Sequence, residues 1–333
     1  MSTMRLERHA TRYLSVLIKL TLFGACLIYL FKGVEAEKLL SALGRFDNHK
    51  ILVVLLTMSC GFFLMGVRLW DLANRACTLA QGVFASFYGF FVNTILPARL
   101  GELAKIVYLH KSAGIPASQS TEFVFWERFA DLNVFLFLVV FGALAIGGPA
   151  LAIPFFALAA VIWGLLITFS LRPGWAYRLV RYLPVKKVRE FVDSFLQHLE
   201  VRSGSGRYVR LFFYSLLIWL EHMLEIFLII YWLSGFDLTI SQGLVVFALA
   251  ITGFSLPLAP AGLGVTDSAI VFSLGLYGIG HNEALAASLI WRVSQYLITI
   301  CVGLLVAFRE GAGLKSLLRQ RTGRGAVLGG GAS

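Results

Sequence analysis

The sequence predicts an all-α integral membrane protein. About six full transmembrane helices and two re-entrant helical hairpins form an inverted-topology pseudo-repeat, with one cytoplasmic amphipathic helix. Three observations predict this. The chain is 58% hydrophobic, and many apolar runs approach the roughly 20 residues that span a bilayer. The apolar stretch Phe254–Thr266, FSLPLAPAGLGVT, is interrupted by Pro257, Pro260, Gly262 and Gly264. Proline lacks the N–H that a helix needs and glycine leaves helical geometry readily, so a helix entering here stops, turns and restarts. The freed backbone groups cannot face hydrocarbon and must sit in protein or line a wet cavity. An earlier stretch, Phe91–Glu102, echoes it: Pro97-Ala98-Arg99-Leu100-Gly101 matches Pro260-Ala261-Gly262-Leu263-Gly264 at four of five positions, about 163 residues apart. Trp126-Glu127-Arg128 and Trp291-Arg292 recur at nearly the same offset. Paired interruptions in two halves point to a transporter's binding site.

The net charge of +11 does not signal nucleic acid. The cations cluster at the termini and in one loop, which is the positive-inside pattern beside an anionic leaflet. Cys26, Cys60, Cys77 and Cys301 form no CxxC pair, so neither a metal site nor a disulfide framework is signalled. No cofactor is expected.

Arg5, Arg8 and Arg12 precede a first span, Tyr13–Phe31, which no A-x-A-like cleavage site follows; it reads as an uncleaved span. Lys19 inside it either snorkels to the near interface or serves transport. The loop Lys32–Lys50 has nearly cancelling charges and suits the outer face. A second span covers Ile51–Val67, and Arg68, Asp71 and Arg75 mark the inner boundary. Leu79–Leu96, the break at Pro97 and a short polar helix through Arg99, Glu102, Lys105 and Lys111 form a hairpin entering from the cytoplasm. Glu122–Ile146 goes out and Ala150–Leu171 comes back.

The segment Arg172–Arg210 carries nine Lys/Arg against three acids and is placed in the cytoplasm. Within it Val188, Phe191, Val192, Phe195, Leu196 and Leu199 recur at helical spacing, predicting an amphipathic helix on the inner leaflet that binds anionic lipids. Leu211–Leu233 exits. A second hairpin, Ile240–Ile279, breaks between Pro257 and Gly264 and dips in from outside. The last span, Ala284–Phe308, returns to a basic end. The expected organisation is one transmembrane domain over residues 1–320. Its first half is about 10–171, its linker 172–210 and its second half 211–310. A flexible glycine-rich tail covers 321–333. If both arms of each hairpin cross fully, the spans number ten; both termini stay in the cytoplasm either way.

Ionisable residues deep in a bilayer are costly and tend to pair or to face a cavity. The first tip, with Pro97 and Gly101 as its hinge residues, offers Asn93, Arg99 and Glu102. Glu127 and Asp131 share a helix face beside Arg128, and Glu221 and Glu225 share another beside His222. The second tip and last span give Thr266, Asp267, Arg292 and Gln295. These groups form either interhelical ion pairs or a shared polar interior. Arg99 and Arg292 are the expected anion binders, since Arg presents a fork suited to phosphate and the half-helices aim positive ends inward. Glu102 serves either the ligand or the helix cap. His222 either shuttles protons or is a hydrogen-bonded structural residue. Trp219, Tyr231 and Trp232 fit interfacial belts.

Asn93-x-x-Leu96-Pro97-x-Arg99-x-Gly101-Glu102, Glu127-Arg128-x-x-Asp131 and Pro260-x-Gly262-x-Gly264-Val265 resemble the lysylphosphatidylglycerol synthase transmembrane (flippase-like) family. That family includes the membrane half of the bacterial multiple peptide resistance factor. The resemblance covers about residues 10–310. Ala98 stands where glycine or a similarly small residue is expected. Thr266-Asp267 stands where the family more often places Glu, which leaves the role of that charge open.

The resemblance implies translocation of an anionic lipid or lipid-linked phosphate between leaflets of the bacterial inner membrane, with no aminoacyl-transfer domain and no enzymatic activity. Headgroup contacts would come from Asn93, Arg99, Glu102, Arg128, Arg292, Thr266 and Asp267. Amines or protons would be held by Glu127, Asp131, Glu221, His222 and Glu225. An ion-coupled solute transporter and a membrane enzyme acting on a polyprenyl-linked substrate are the alternatives. The enzyme would need a cytoplasmic nucleotide or divalent-metal site, and the cytoplasmic loop shows no acidic cluster for one; Gly-rich nucleotide loop, HExxH and GxSxG motifs are also absent from the sequence. The partners expected are membrane lipids, with homo-oligomerisation left open.

Overall fold

The computed structural model describes residues 21–96, 100–171, 174–182, 185–201, 205–235, 238–255 and 259–309. Pro97, Ala98, Arg99 and Pro257 lie outside the described residues, as do Lys19, the N-terminal arginines and the tail. The described chain is all α-helical apart from turns and one short 3-10 segment.

The first helix, α1, is Thr21–Phe31. The expected loop after it contains a helix, α2 (Ala36–Gly44), which packs on the C-terminal part of the molecule. Arg45 pairs with Glu283 at 2.9 Å, and the Glu35 N–H donates to Asn282 Oδ1. Asp47 caps α3 (Asn48–Leu72) by accepting from the Lys50 N–H at 3.0 Å.

Thr78 and Gln81 form a reciprocal capping box that starts α4 (Leu79–Ile95). Such a box satisfies two of the N–H groups a helix start leaves free. After the break, α5 covers Gly101–Ala113 and stops at Gly114, whose φ of +67° is left-handed. Pro116 precedes α6 (Ala117–Gly147). The Gly148 turn leads into α7 (Pro149–Leu171).

A short α8 (Gly174–Val180) and the amphipathic α9 (Lys186–Val201) follow. The α9 face is shared between protein and surroundings. Phe195 meets Phe125 edge-on and Ser194 bonds Ser118, whereas Val188 and Phe191 are exposed. Then come α10 (Ser205–Ser234), α11 (Ile240–Ser255), the 3-10 segment Pro260–Gly262, α12 (Val265–Gly275) and α13 (His281–Arg309).

Among the described residues, Asn48–Leu72, Gly206–Leu233 and His281–Val306 are long and apolar enough to cross a membrane. The 31 residues of α6 run about 46 Å at the helical rise, with their charges in the first half. Polarity is inverted relative to a water-soluble protein. Arg68, Lys105, Glu127, Glu225, Asp267 and Arg292 are buried, whereas Ile153, Phe156, Val161 and Leu165 of α7 and Leu305 and Phe308 of α13 are exposed. So much exposed apolar surface is tolerable only in lipid.

The two arms of each break pack along one another, α4 on α5 and α11 on α12. Their contact is close because glycines allow it. A Cβ on Gly101 would lie 2.0 Å from the Gly89 carbonyl oxygen, and one on Gly253 of α11 would lie 3.0 Å from the Thr266 Cα of α12. Helix α4 also packs on α13, and α11 on α6, so each hairpin leans on a long helix of the other half.

Candidate functional site

The interrupted helices raise an accounting question: which groups satisfy the backbone freed at each break? At the first, Asn93 reaches across from α4, and its Oδ1 accepts from the Gly101 N–H at 2.7 Å. That supplies α5 with the cap that Leu100 cannot provide. At the second, Asp267 accepts from the Gly264 N–H at 2.7 Å. Arg292 of α13 closes the turn. Its Nε donates to Asp267 at 2.7 Å, while Nη1 and Nη2 donate to the Ala261 and Gly262 carbonyls at 3.1 and 3.4 Å. Ala261 sits at φ +46°, a strained position for a residue with a Cβ, and the Arg292 contact helps to hold it.

A second ionic group joins four helices. Arg68 of α3 is 1% exposed. It donates to Asp131 of α6, to Ser215 of α10 at 2.7 Å and to Glu127 of α6 at 3.3 Å. Lys105 of α5 donates to the other Glu127 oxygen at 2.9 Å. Asp131 also accepts from Trp219 at 3.1 Å and pairs with Arg128 at 3.1 Å. Arg128 reaches toward Glu102 at 3.6 Å. Three cations thus face three carboxylates, which is what a low-dielectric interior requires.

Between these groups lies a cavity of about 260 Å³. Its polar lining is Asn93, Glu102, Arg128, Asp131, His222 and Gln295. The rest includes Leu96 on one side and Phe254, Ala259, Ala261 and Gly262 on the other, so residues flanking both breaks border one space. Arg128 has 42% of its side chain exposed, against 1% for Arg68 and 5% for Lys105.

The structure brings together Asn93, Glu102, Arg128, Asp131 and His222 around this cavity. Glu127 lies behind, under Arg68 and Lys105. Thr266, Asp267 and Arg292 also lie behind the lining, with Arg292 only 4% exposed and taken up by the second turn. Glu221 and Glu225 are covered by His222 and Trp291, both of which face the cavity. Gly101, Pro260, Gly262 and Gly264 sit at the breaks, whereas Arg99, Pro97 and Pro257 fall outside the described residues.

Arg68, Lys105 and Trp219 were not legible as site residues. Arg68 ends an apolar run and reads as a boundary cation, and nothing in its spacing ties it to Glu127 and Asp131. Trp219, read as an interfacial-belt residue, lines the cavity and donates to Asp131.

These features define a helical membrane protein with a charged, partly open interior. The chain belongs to the family described as the lysylphosphatidylglycerol synthase TM region, whose sequence profile matches residues 16–303. It is similar to UPF0104 membrane protein MJ1078 of Methanocaldococcus jannaschii, with 26% identity over 229 residues, covering 66% of this chain and 93% of that one. It is also similar to UPF0104 membrane protein MJ1595 of the same organism, with 24% identity over 240 residues, covering 65% of this chain and 70% of that one.

Proposed function

We propose that this protein moves an anionic phospholipid or lipid-linked phosphate between the leaflets of the bacterial inner membrane, without making or consuming it. The observation that carries this reading is the cavity bordered by both helix breaks, with the half-exposed Arg128 facing it. A headgroup needs a polar path and its tails need hydrocarbon. A charged interior under an apolar exterior supplies both. Arg128 is the phosphate contact: it pairs with Asp131 and Glu102 but, unlike the buried Arg68 and Arg292, keeps 42% of its side chain exposed. Arg99, at the first tip, is assigned a share of the same task. Asn93 and Glu102 frame the headgroup.

The reading includes re-entrant hairpins in an inverted repeat. The arms α4, α5, α11 and α12 have 17, 13, 16 and 11 residues. At 1.5 Å per residue the longest reaches about 26 Å, short of a hydrocarbon core of about 30 Å. A further repeat signal supports the pairing of halves. Thr78-x-x-Gln81-Gly82 opens α4 and Thr239-x-x-Gln242-Gly243 opens α11, each with the same reciprocal Thr–Gln bonds. The basic 172–210 segment and both termini then face the cytoplasm.

The test is transfer of headgroup-labelled lipids in reconstituted liposomes. Arg128→Gln removes a charge-assisted contact of about 1.5–3 kcal/mol, so transfer slows at least about tenfold, and Arg99→Ala slows it as well. Equal rates for wild type and Arg128→Gln would remove the proposed phosphate contact.

A further inference from the structure

Among the described residues, the interior charges balance except at one place. Arg68, Lys105 and Arg128 face Glu102, Glu127 and Asp131; Arg292 faces Asp267; Arg207 lies 3.9 Å from Glu122. Glu221 and Glu225 of α10 face no cation among the described residues beyond an imidazole, His222, whose Nδ1 is 2.6 Å from Glu221 Oε2. The other donor in reach is the Trp291 indole, 3.2 Å from Glu225 Oε2. Glu225 is 1% exposed and the Glu221 side chain 10% exposed, and the Oε1 atom of each has no hydrogen-bond partner. Two such carboxylates at membrane depth are costly unless something positive joins them.

We propose that Glu221, His222 and Glu225 bind a divalent first-row metal ion of the zinc or manganese kind. One ligand atom from each lies within 4.8 Å of the other two. Modest side-chain rotation brings such atoms onto an ion at about 2.0–2.2 Å. A divalent ion with a neutral imidazole cancels both carboxylates. The imidazole argues against an alkali ion, because mixed nitrogen and carboxylate donors favour transition metals.

Size argues against a lipid ammonium group. The carboxylates lie behind His222 and Trp291, which border the cavity. The site is also built from a neighbouring helix. A Cβ on Gly61 of α3 would lie 2.1 Å from Glu221 Oε2, so a glycine there leaves room for the carboxylate.

The inference stands apart from the lipid reading: a chain that binds the ion and moves no lipid satisfies it. The test is zinc chloride titrated into the full chain in nanodiscs after chelator stripping, near neutral pH, read by calorimetry and by metal content after desalting. Wild type is expected to take one ion per chain and to release protons as it does so. Glu225→Gln, which keeps the shape of the side chain, and His222→Ala each weaken binding at least about tenfold. Gly61→Ala does the same without altering a ligand. Circular dichroism establishes that each variant is folded. Wild type retaining no zinc, or binding it as tightly with Glu225→Gln as without, overturns the site and leaves the carboxylates to protons. If a variant does not fold, the wild-type stoichiometry decides alone.

Discussion

Arg68 and Arg292 illustrate how single side chains hold this interior together. Each is buried and each satisfies groups from more than one helix. Replacing Arg68 by Met strands Glu127 and Asp131 with fewer cations. Breaking a buried network from one side costs about 3–5 kcal/mol. Unfolding in mixed micelles should show that loss, and a change below about 1 kcal/mol would contradict the role given to Arg68. Arg292→Lys keeps a charge beside Asp267 but cannot also reach the Ala261 and Gly262 carbonyls, because an ammonium lacks the planar fork. Leaving buried acceptors unpaired costs about 1–3 kcal/mol, so this substitution should lower the thermal midpoint in detergent. An unchanged midpoint would show that the second turn does not need the fork. At this scale the sequence was only partly legible. Spacing placed Glu127 with Asp131 and Glu221 with Glu225, because i, i+4 neighbours share a face. It could not say that Arg128 turns to Glu102 and Asp131 while Arg292 turns to Asp267, since those pairings depend on how helices are packed.

At the scale of elements, the two interruptions were the most legible feature, because Pro and Gly act on the backbone wherever they stand. What satisfies each interruption was less visible. Asn93 read as a headgroup contact, yet its Oδ1 caps α5 while the residue lines the cavity. Helix α2 was missed because its mixed charges suggested a loop; its docking on the C-terminal part of the chain is a long-range effect. The matching Thr-x-x-Gln-Gly starts of α4 and α11 were in the sequence throughout, at an offset close to that of the proline motifs. Close packing within the first hairpin gives a direct prediction. Gly101→Ala puts a Cβ 2.0 Å from a backbone oxygen, so the arms must part and the thermal midpoint must fall. Gly164→Ala, with nothing within 4 Å, should leave it unchanged or raise it slightly through helix propensity. Equal effects of the two substitutions would contradict the packing described for the first hairpin.

For the whole molecule, charge collects inside and apolar surface outside, and the two breaks border one space within that interior. The proposed inverted arrangement predicts that the hairpins open to opposite faces. Single cysteines replacing Lys111 and Tyr277, in a chain whose own four cysteines are replaced, should react with an impermeant maleimide from opposite sides of oriented vesicles. Labelling from one side would contradict the inversion. The central claim is that the cavity receives a lipid phosphate, and density for a bound lipid tests it most directly. Cryo-electron microscopy of the protein in nanodiscs containing anionic phospholipid should place a phosphate within hydrogen-bonding distance of Arg128, with acyl chains leaving between helices. Lipids confined to the outer perimeter, with none entering between the two breaks, would contradict it.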